Sequence, residues 1–180
     1  SILMTGAFHE DGFADTCDGF GGGWTKEKIL EIMKDSQSGA YGVVGMVLML
    51  LLKFLLLLEL AKYDIWFCIM AMILAHTLSR FSAVYITFTE NYVREDELSK
   101  AKPVAKQLSN KNFFIAALWV IPVFFLFQNP IVIWVVFPVF LMTLYLKSYF
   151  KKWIGGYTGD CLGATQQVNE VITLIGCLAL

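Results

Sequence analysis

The chain has 180 residues, of which 57% are hydrophobic and 16% are charged, and its formal net charge is −1. An ordinary soluble domain has about a quarter of its residues charged, so this composition argues against that class and indicates a membrane protein. Because the net charge is close to zero, we expect no nucleic acid or other polyanion as a partner.

The first polar segment is HEDGFADTCDG at residues 9–19, which gathers four carboxylates and no basic partner except a histidine. If this segment is helical, Asp11, Asp15 and Asp18 follow at i, i+4 and i+7 and share one face. A divalent cation relieves their repulsion, and an all-oxygen site suits Mg²⁺ better than zinc. The spacing predicts these aspartates as Mg²⁺ ligands on a pyrophosphate-bearing substrate, with Glu10 as an additional candidate. The alternative is a solvated acidic helix end.

A short amphipathic helix is predicted next, with Thr25 as its N-terminal cap. Its apolar side is formed by residues Ile29, Leu30, Ile32 and Met33. We expect this helix to lie on the membrane surface. Lys34 and Asp35 follow it and are assigned to phosphate binding, and the alternative for Lys34 is an ordinary lysine at the inner face of the membrane.

Apolar segments predict about five transmembrane helices, at residues 41–61, 66–88, 112–127, 130–150 and 168–180. A spanning helix needs about 20 apolar residues, so the third segment is a little short and the fifth is only part of a span. The turn at 128–130 joins the third and fourth segments as a helical hairpin. The predicted fold is all-α: a polytopic integral membrane helical bundle with a short surface helix, in a single domain of residues 1–180.

The basic residues fix a predicted orientation, because lysines and arginines in short loops mark the cytoplasmic side. Segments 1–40, 89–111 and 147–169 contain nearly all of them, whereas the other connections contain only Lys62. We therefore expect the polar segments, and any chemistry, at the cytoplasmic face.

Two basic residues lie inside predicted spans. Arg80 is about 12 Å of helix from the predicted cytoplasmic end, and an intramembrane arginine is a functional candidate. It either extends to the inner surface or anchors a phosphate. For Lys53, a functional role and an ion pair with an acidic group upstream of this chain are both left open.

A second polar segment, GGYTGDCLGATQQVNE at residues 155–170, places Asp160 in a glycine-rich turn on the same predicted side. Thr158 is expected to cap the following helix and to orient its N-terminus towards an anion. Two acidic, glycine-rich segments on one face predict a convergent site.

TGAFHEDGFADTCDGF, EIMKDSQSGAYG and GGYTGDCLGATQQVNE, in this order between apolar spans, closely resemble the cobalamin synthase family of adenosylcobinamide-GDP ribazoletransferases. The resemblance runs over the whole chain. Its DGxADTxDG phrase falls on Asp11, Asp15 and Asp18, and its TGDxLGA phrase includes Thr158, Gly159 and Asp160. Members of the family have additional N-terminal hydrophobic sequence, so we expect this chain to be a C-terminal fragment.

The resemblance implies the last assembly step of cobalamin (vitamin B12) biosynthesis. The transferase joins α-ribazole, or its 5′-phosphate, to adenosylcobinamide-GDP and releases GMP, with Mg²⁺, in the bacterial inner membrane. On this basis we assign metal binding to Asp11, Asp15 and Asp18, catalysis to Asp15 and Asp160, and substrate or phosphate binding to Thr158 and Gly159. Asp160 either binds a second metal ion or accepts the proton of the ribazole hydroxyl group. Substrate or phosphate binding is also assigned to Lys34, Asp35 and Arg80. Arg94 is a further candidate to neutralise the negative charge of the phosphates. Expected partners are the two substrates, the lipid bilayer and further copies of the chain in a homo-oligomer.

Three other functions agree with part of the sequence pattern. A CDP-alcohol phosphotransferase and a prenyltransferase also use Asp-rich helices with Mg²⁺, but the DGxxAR phrase of the former is missing and the Asp spacing fits the latter loosely. A cation transporter or channel predicts acidic residues near the middle of a span, whereas these cluster at the edge.

Overall fold

The computed structural model describes residues 2–94, 108–127 and 129–180, and within them the fold is helical. In chain order the helices are α1 (Ile2–Thr5), α2 (Phe8–Gly22), α3 (Lys26–Ile32), α4 (Ala40–Tyr63), α5 (Ile65–Thr89), α6 (Asn110–Phe124), a 3₁₀ helix (Pro130–Val135), α7 (Val136–Ile154) and α8 (Gly159–Leu178). The predicted all-α fold is confirmed.

Three helical runs are long and apolar enough to cross a membrane: Ala40–Tyr63, Ile65–Thr89 and Pro130–Ile154. Each coincides with a predicted span. The third predicted span corresponds to α6, which has only 15 residues, and the fifth corresponds to α8. Membrane crossing by these two helices stays a prediction. In the turn before the 3₁₀ helix, the Asn129 side chain accepts a hydrogen bond from Ile131 N at 3.1 Å. Gln128 of that turn lies outside the described residues.

Helix α8 lies at the centre of the bundle and contacts α2, α4, α5 and α7. It begins at Gly159, nine residues before the predicted span, because Thr158 caps it by accepting a hydrogen bond from Cys161 N at 3.3 Å. The predicted cap is confirmed, but Asp160 lies in the first turn of a helix rather than in a glycine-rich turn. The polar residues of this segment are buried against the neighbouring helices rather than exposed in a loop.

Two glycines let α2 and α8 cross at very short range. A Cβ atom at Gly12 would lie 3.0 Å from Asp160 Cα, and one at Gly163 would lie 3.0 Å from the His9 carbonyl oxygen. Both neighbours are backbone atoms, which cannot move aside as a side chain does. Gly12 therefore fixes the separation of the two acidic helices.

The short helix α3 begins as predicted, with the Thr25 side chain accepting a hydrogen bond from Lys28 N at 3.3 Å. Its apolar residues Ile29 and Met33 are buried, and they belong to one core cluster with Phe150 and Ile154 of α7. The protein itself therefore covers much of the predicted apolar side, and a position on the membrane surface stays a prediction.

The α2–α8 crossing generates a test of stability. We expect Gly12→Val to lower the free energy of unfolding by about 1–3 kcal/mol, because the added side chain overpacks against the Asp160 backbone. Gly159→Ala is the matched control, since a Cβ there meets nothing within 4 Å. Thermal unfolding in detergent, followed by circular dichroism, measures both. Equal melting temperatures for the two variants would show that the crossing is not tightly packed.

Candidate active site

The α2–α8 crossing brings carboxylates from the two motifs together. Asp15 of α2 is partly buried, and the charges of Asp160 and Asp11 act on it. Burial, followed by these two like charges, raises the pKa of Asp15 from its ordinary value of 3.8 to about 7. The positive charge of Arg94 acts in the opposite direction but does not offset burial and these like charges.

In the part of the chain that the structure describes, Arg94 is the basic residue in direct contact with this cluster. Its guanidinium lies 2.8 Å from Asp160 Oδ2 and also donates a hydrogen bond to the Met33 carbonyl oxygen at 2.9 Å. Burial raises the pKa of Asp160 even though the Arg94 charge acts in the opposite direction. One guanidinium therefore does not compensate the three carboxylates Asp11, Asp15 and Asp160.

Arg94 is positioned by a short backbone pairing next to α8. Val93 N donates to the Tyr157 carbonyl oxygen and Tyr157 N donates to the Asn91 carbonyl oxygen, each at 3.0 Å. Gly156 permits this approach, since a Cβ there would lie within 3 Å of the Asn91 oxygen. The pairing holds the chain after α5 against the start of α8. Lys100, Lys102 and Lys106, further along the predicted basic loop, lie outside the described residues.

Asp18 makes a different contact from the other two aspartates of its motif. Its carboxylate oxygens accept hydrogen bonds from Gly39 N at 2.7 Å and Gly42 N at 2.8 Å, so it caps the N-terminus of α4. A carboxylate at this position also stabilises the helix dipole. Its predicted role as a metal ligand remains a prediction, and the structure adds a structural role.

The remaining predicted site residues lie at the start of α8, in the exposed segment after Met33, and in the buried part of α2. Thr158 is fully buried, with its hydroxyl 3.4 Å from Asp160 Oδ2, whereas Gly159 has open space beside it. Lys34 and Asp35 are exposed and directly follow Met33, which places them at the edge of the site. Glu10 is buried, and its Oε2 atom has no hydrogen-bond partner among the described residues.

Arg80 lies apart from the aspartates, in α5. It is exposed, donates a hydrogen bond to the His76 carbonyl oxygen at 3.1 Å, and lines an open groove between α5 and α6.

A second polar cluster, which the sequence did not predict, lies further along α8. The Lys53 ammonium contacts Glu170 Oε2 and Gln167 Oε1, both at 2.5 Å, and His76 Nδ1 lies 2.9 Å from Glu170 Oε1. Lys53 therefore has an acidic partner within this chain. Intramembrane charges usually find partners across helices, but the sequence alone does not identify a partner 117 positions away.

The donor set around the crossing fits a magnesium ion. Mg²⁺ is usually held by one or two carboxylates together with waters and substrate phosphates. Asp11 and Asp15 supply such carboxylates, and the raised pKa of Asp15 shows that added positive charge is favourable there. In the described part of the chain, no three acidic, histidine or cysteine side chains are already arranged around one metal position.

Comparison with known proteins gives consistent matches along the whole chain. A family model described as cobalamin-5-phosphate synthase matches residues 1–178. The adenosylcobinamide-GDP ribazoletransferase of Shewanella frigidimarina is 48% identical over 180 residues, which are 99% of this chain and 69% of the relative. The protein of the same name from Leptospira interrogans is 46% identical, over 98% of this chain and 69% of the relative.

The Shewanella oneidensis protein of that name is 47% identical, over 95% of this chain and 65% of the relative. No solved structure matches the chain. A match over residues 1–178, together with relatives of this identity and coverage, shows the family. The chain is a member of the cobalamin-5-phosphate synthase family.

Proposed function

We propose that the chain transfers the cobinamide phosphate of adenosylcobinamide-GDP to α-ribazole, or to α-ribazole 5′-phosphate, and releases GMP. The observation that carries this proposal is the meeting of Asp11, Asp15 and Asp160 at the α2–α8 crossing. Such a cluster has the charge that a pyrophosphate substrate and its cation require. The names of the relatives supply the donor and acceptor.

In this reaction the acceptor hydroxyl oxygen forms a bond to the phosphorus that carries cobinamide, and the bond from that phosphorus to GMP breaks. Asp160 accepts the hydroxyl proton. Its pKa is raised mainly by burial, which makes it a better proton acceptor near neutral pH than an ordinary aspartate. Thr158 and Arg94 contact the same carboxylate and hold its orientation.

Asp11 and Asp15 would hold Mg²⁺, with Asp18 and Glu10 as further candidates. A bound magnesium ion would supply electrostatic stabilisation of the negative charge on the phosphates. Arg94 lies next to Asp160, and Lys34 lies at the edge of the site, where its ammonium can offset phosphate charge, with Asp35 beside it. There is open space beside Gly159 at the start of α8, where a helix N-terminus favours an anion.

We also propose that the chain lies in the bacterial inner membrane with the aspartates on the cytoplasmic side. Arg94, Lys147 and Lys151 lie at the same end of the bundle as Asp160, the last two in contact with Glu90. At the opposite end, Lys62 lies in the last turn of α4 and pairs with Glu59. This asymmetry agrees with the tendency of cytoplasmic loops to contain lysine and arginine. A homo-oligomer stays a prediction.

The first test is Asp15→Asn, assayed as Mg²⁺-dependent GMP release from adenosylcobinamide-GDP with α-ribazole in membranes. We expect a loss of about 100-fold or more, the size usual for removing one electrostatic group from an active site. Glu31→Gln is the matched control because its side chain is 69% exposed, and it should retain wild-type activity. Full activity of Asp15→Asn with unchanged Mg²⁺ dependence would reject the site.

The raised pKa of Asp15 predicts a pH dependence of stability in Mg²⁺-free buffer. Because its folded-state pKa of about 7 exceeds its ordinary value of 3.8, the stability it contributes is fully present below about pH 4 and is lost as the pH rises through 7. The wild-type melting temperature should therefore fall between pH 4 and pH 7.

Asp15→Asn should reduce this fall without abolishing it, since the pKa of Asp160 is raised as well. Differential scanning fluorimetry across the pH range measures the effect, and added Mg²⁺ should stabilise the wild type most at the higher pH. If the melting temperatures of the wild type and Asp15→Asn fall equally between pH 4 and pH 7, the burial and like charges assigned to Asp15 would be contradicted.

A further inference from the structure

Glu170 is buried within the bundle, and both of its carboxylate oxygens are already in use. One contacts Lys53 of α4 and the other contacts His76 of α5, so the negative charge of Glu170 is shared between two neighbours. The Glu170 side chain is only 7% exposed, which prevents water from replacing either contact. Glu170 is therefore not free to neutralise another cation nearby.

Arg80 lies one helical turn from His76, and Glu170 does not neutralise its positive charge. Within residues 2–94, 108–127 and 129–180, no acidic side chain lies within ion-pair distance of its guanidinium, whose one protein contact is the His76 carbonyl oxygen. An arginine within a membrane-spanning helix is costly unless it meets an anion or a polar cavity. The position therefore calls for an anionic ligand.

The surroundings of Arg80 provide room for one. A groove of about 490 Å³ opens between α5 and α6, and its lining includes His76, Thr77, Arg80, Phe81 and Trp119. Since Glu170 holds Nδ1 of His76, the other ring nitrogen is directed away from the carboxylate, and the side chain is 33% exposed. The groove thus combines a guanidinium, an imidazole and a hydroxyl with aromatic walls.

The groove is close enough to the α2–α8 crossing to serve the same substrate. Helices α5 and α8 are antiparallel, since His76 contacts Glu170 while Thr87 contacts Tyr157. At 1.5 Å per residue, Arg80 is then about 9 Å from Asp160 along the bundle axis.

The charge of Arg80 also acts on His9, which lies near the start of α2. The carbonyl oxygen of His9 lies at the α2–α8 crossing, beside Gly163. Arg80 is therefore close to the N-terminal part of the helix that contains Asp11 and Asp15.

We propose that Arg80 and His76 bind the 5′-phosphate of α-ribazole 5′-phosphate. This inference rests on the proposed function. Arginine binds phosphate through paired N–H groups, and the aromatic side chains suit the planar base of the acceptor. A lipid phosphate is the less favoured occupant, because Arg80 lies nine residues from the nearer end of a 25-residue helix, whereas headgroups lie at the surface.

The test compares the two acceptors in wild type and in Arg80→Gln. The measured quantity is the ratio of kcat/KM for α-ribazole 5′-phosphate to that for α-ribazole. We expect this ratio to exceed about ten in the wild type and to fall by about 10-fold or more in Arg80→Gln, as loss of a charge-assisted hydrogen bond implies. Arg80→Lys should retain part of the preference. Lys62→Gln, at the opposite end of the bundle, should leave the ratio unchanged.

A second arm measures equilibrium binding of each acceptor by calorimetry without the donor, and so does not depend on turnover. Tighter binding of the phosphorylated acceptor by the wild type, lost in Arg80→Gln, supports the inference even if no GMP is released, an outcome that would reject only the proposed function. Equal affinities for both acceptors in the wild type, or an equal loss for both in Arg80→Gln, would overturn it. So would a variant that loses co-purified anionic phospholipid while its acceptor preference is unchanged.

Discussion

The close crossing of α2 and α8 is the constraint on which the proposed site depends. Two glycines, Gly12 and Gly163, allow the helix backbones to meet where any side chain would separate them. As a result Asp15 and Asp160, 145 positions apart in the sequence, act on each other. The contact that assembles the carboxylates thus depends on residues that have no chemical function of their own.

The polar groups of the bundle lie at two levels along α8. At its start, Asp160 meets the aspartates of α2, and within the described ranges Arg94 alone forms an ion pair with them, so the described part of this level has a deficit of positive charge. Ten residues later, Glu170 is paired with both Lys53 and His76, and the nearby Arg80 has no acidic partner among the residues that the structure describes. The first level is suited to a cation with phosphates, and the second is suited to an anion.

Local signals in the sequence predicted the local structure well. The Thr25 and Thr158 caps, the α4 and α5 spans and the helical aspartate motif each depend on neighbouring residues, and each lies where it was predicted. Contacts between distant segments were harder to predict. Helical spacing placed Asp18 with the other aspartates, but the tertiary fold brings the N-terminus of α4 to its carboxylate. The Lys53 pair with Glu170 likewise needs three-dimensional packing.

The most direct measurement of whether the charges of Asp15 on α2 and Asp160 on α8 act on one bound cation is a double-mutant cycle on Mn²⁺ affinity, measured by electron paramagnetic resonance. Wild type, Asp15→Asn, Asp160→Asn and the double variant are compared in the same detergent. If the two carboxylates share a site, the effects are not additive, and we expect a coupling energy of about 1 kcal/mol or more. Additive effects, or Mn²⁺ binding that neither substitution weakens, would contradict a shared site.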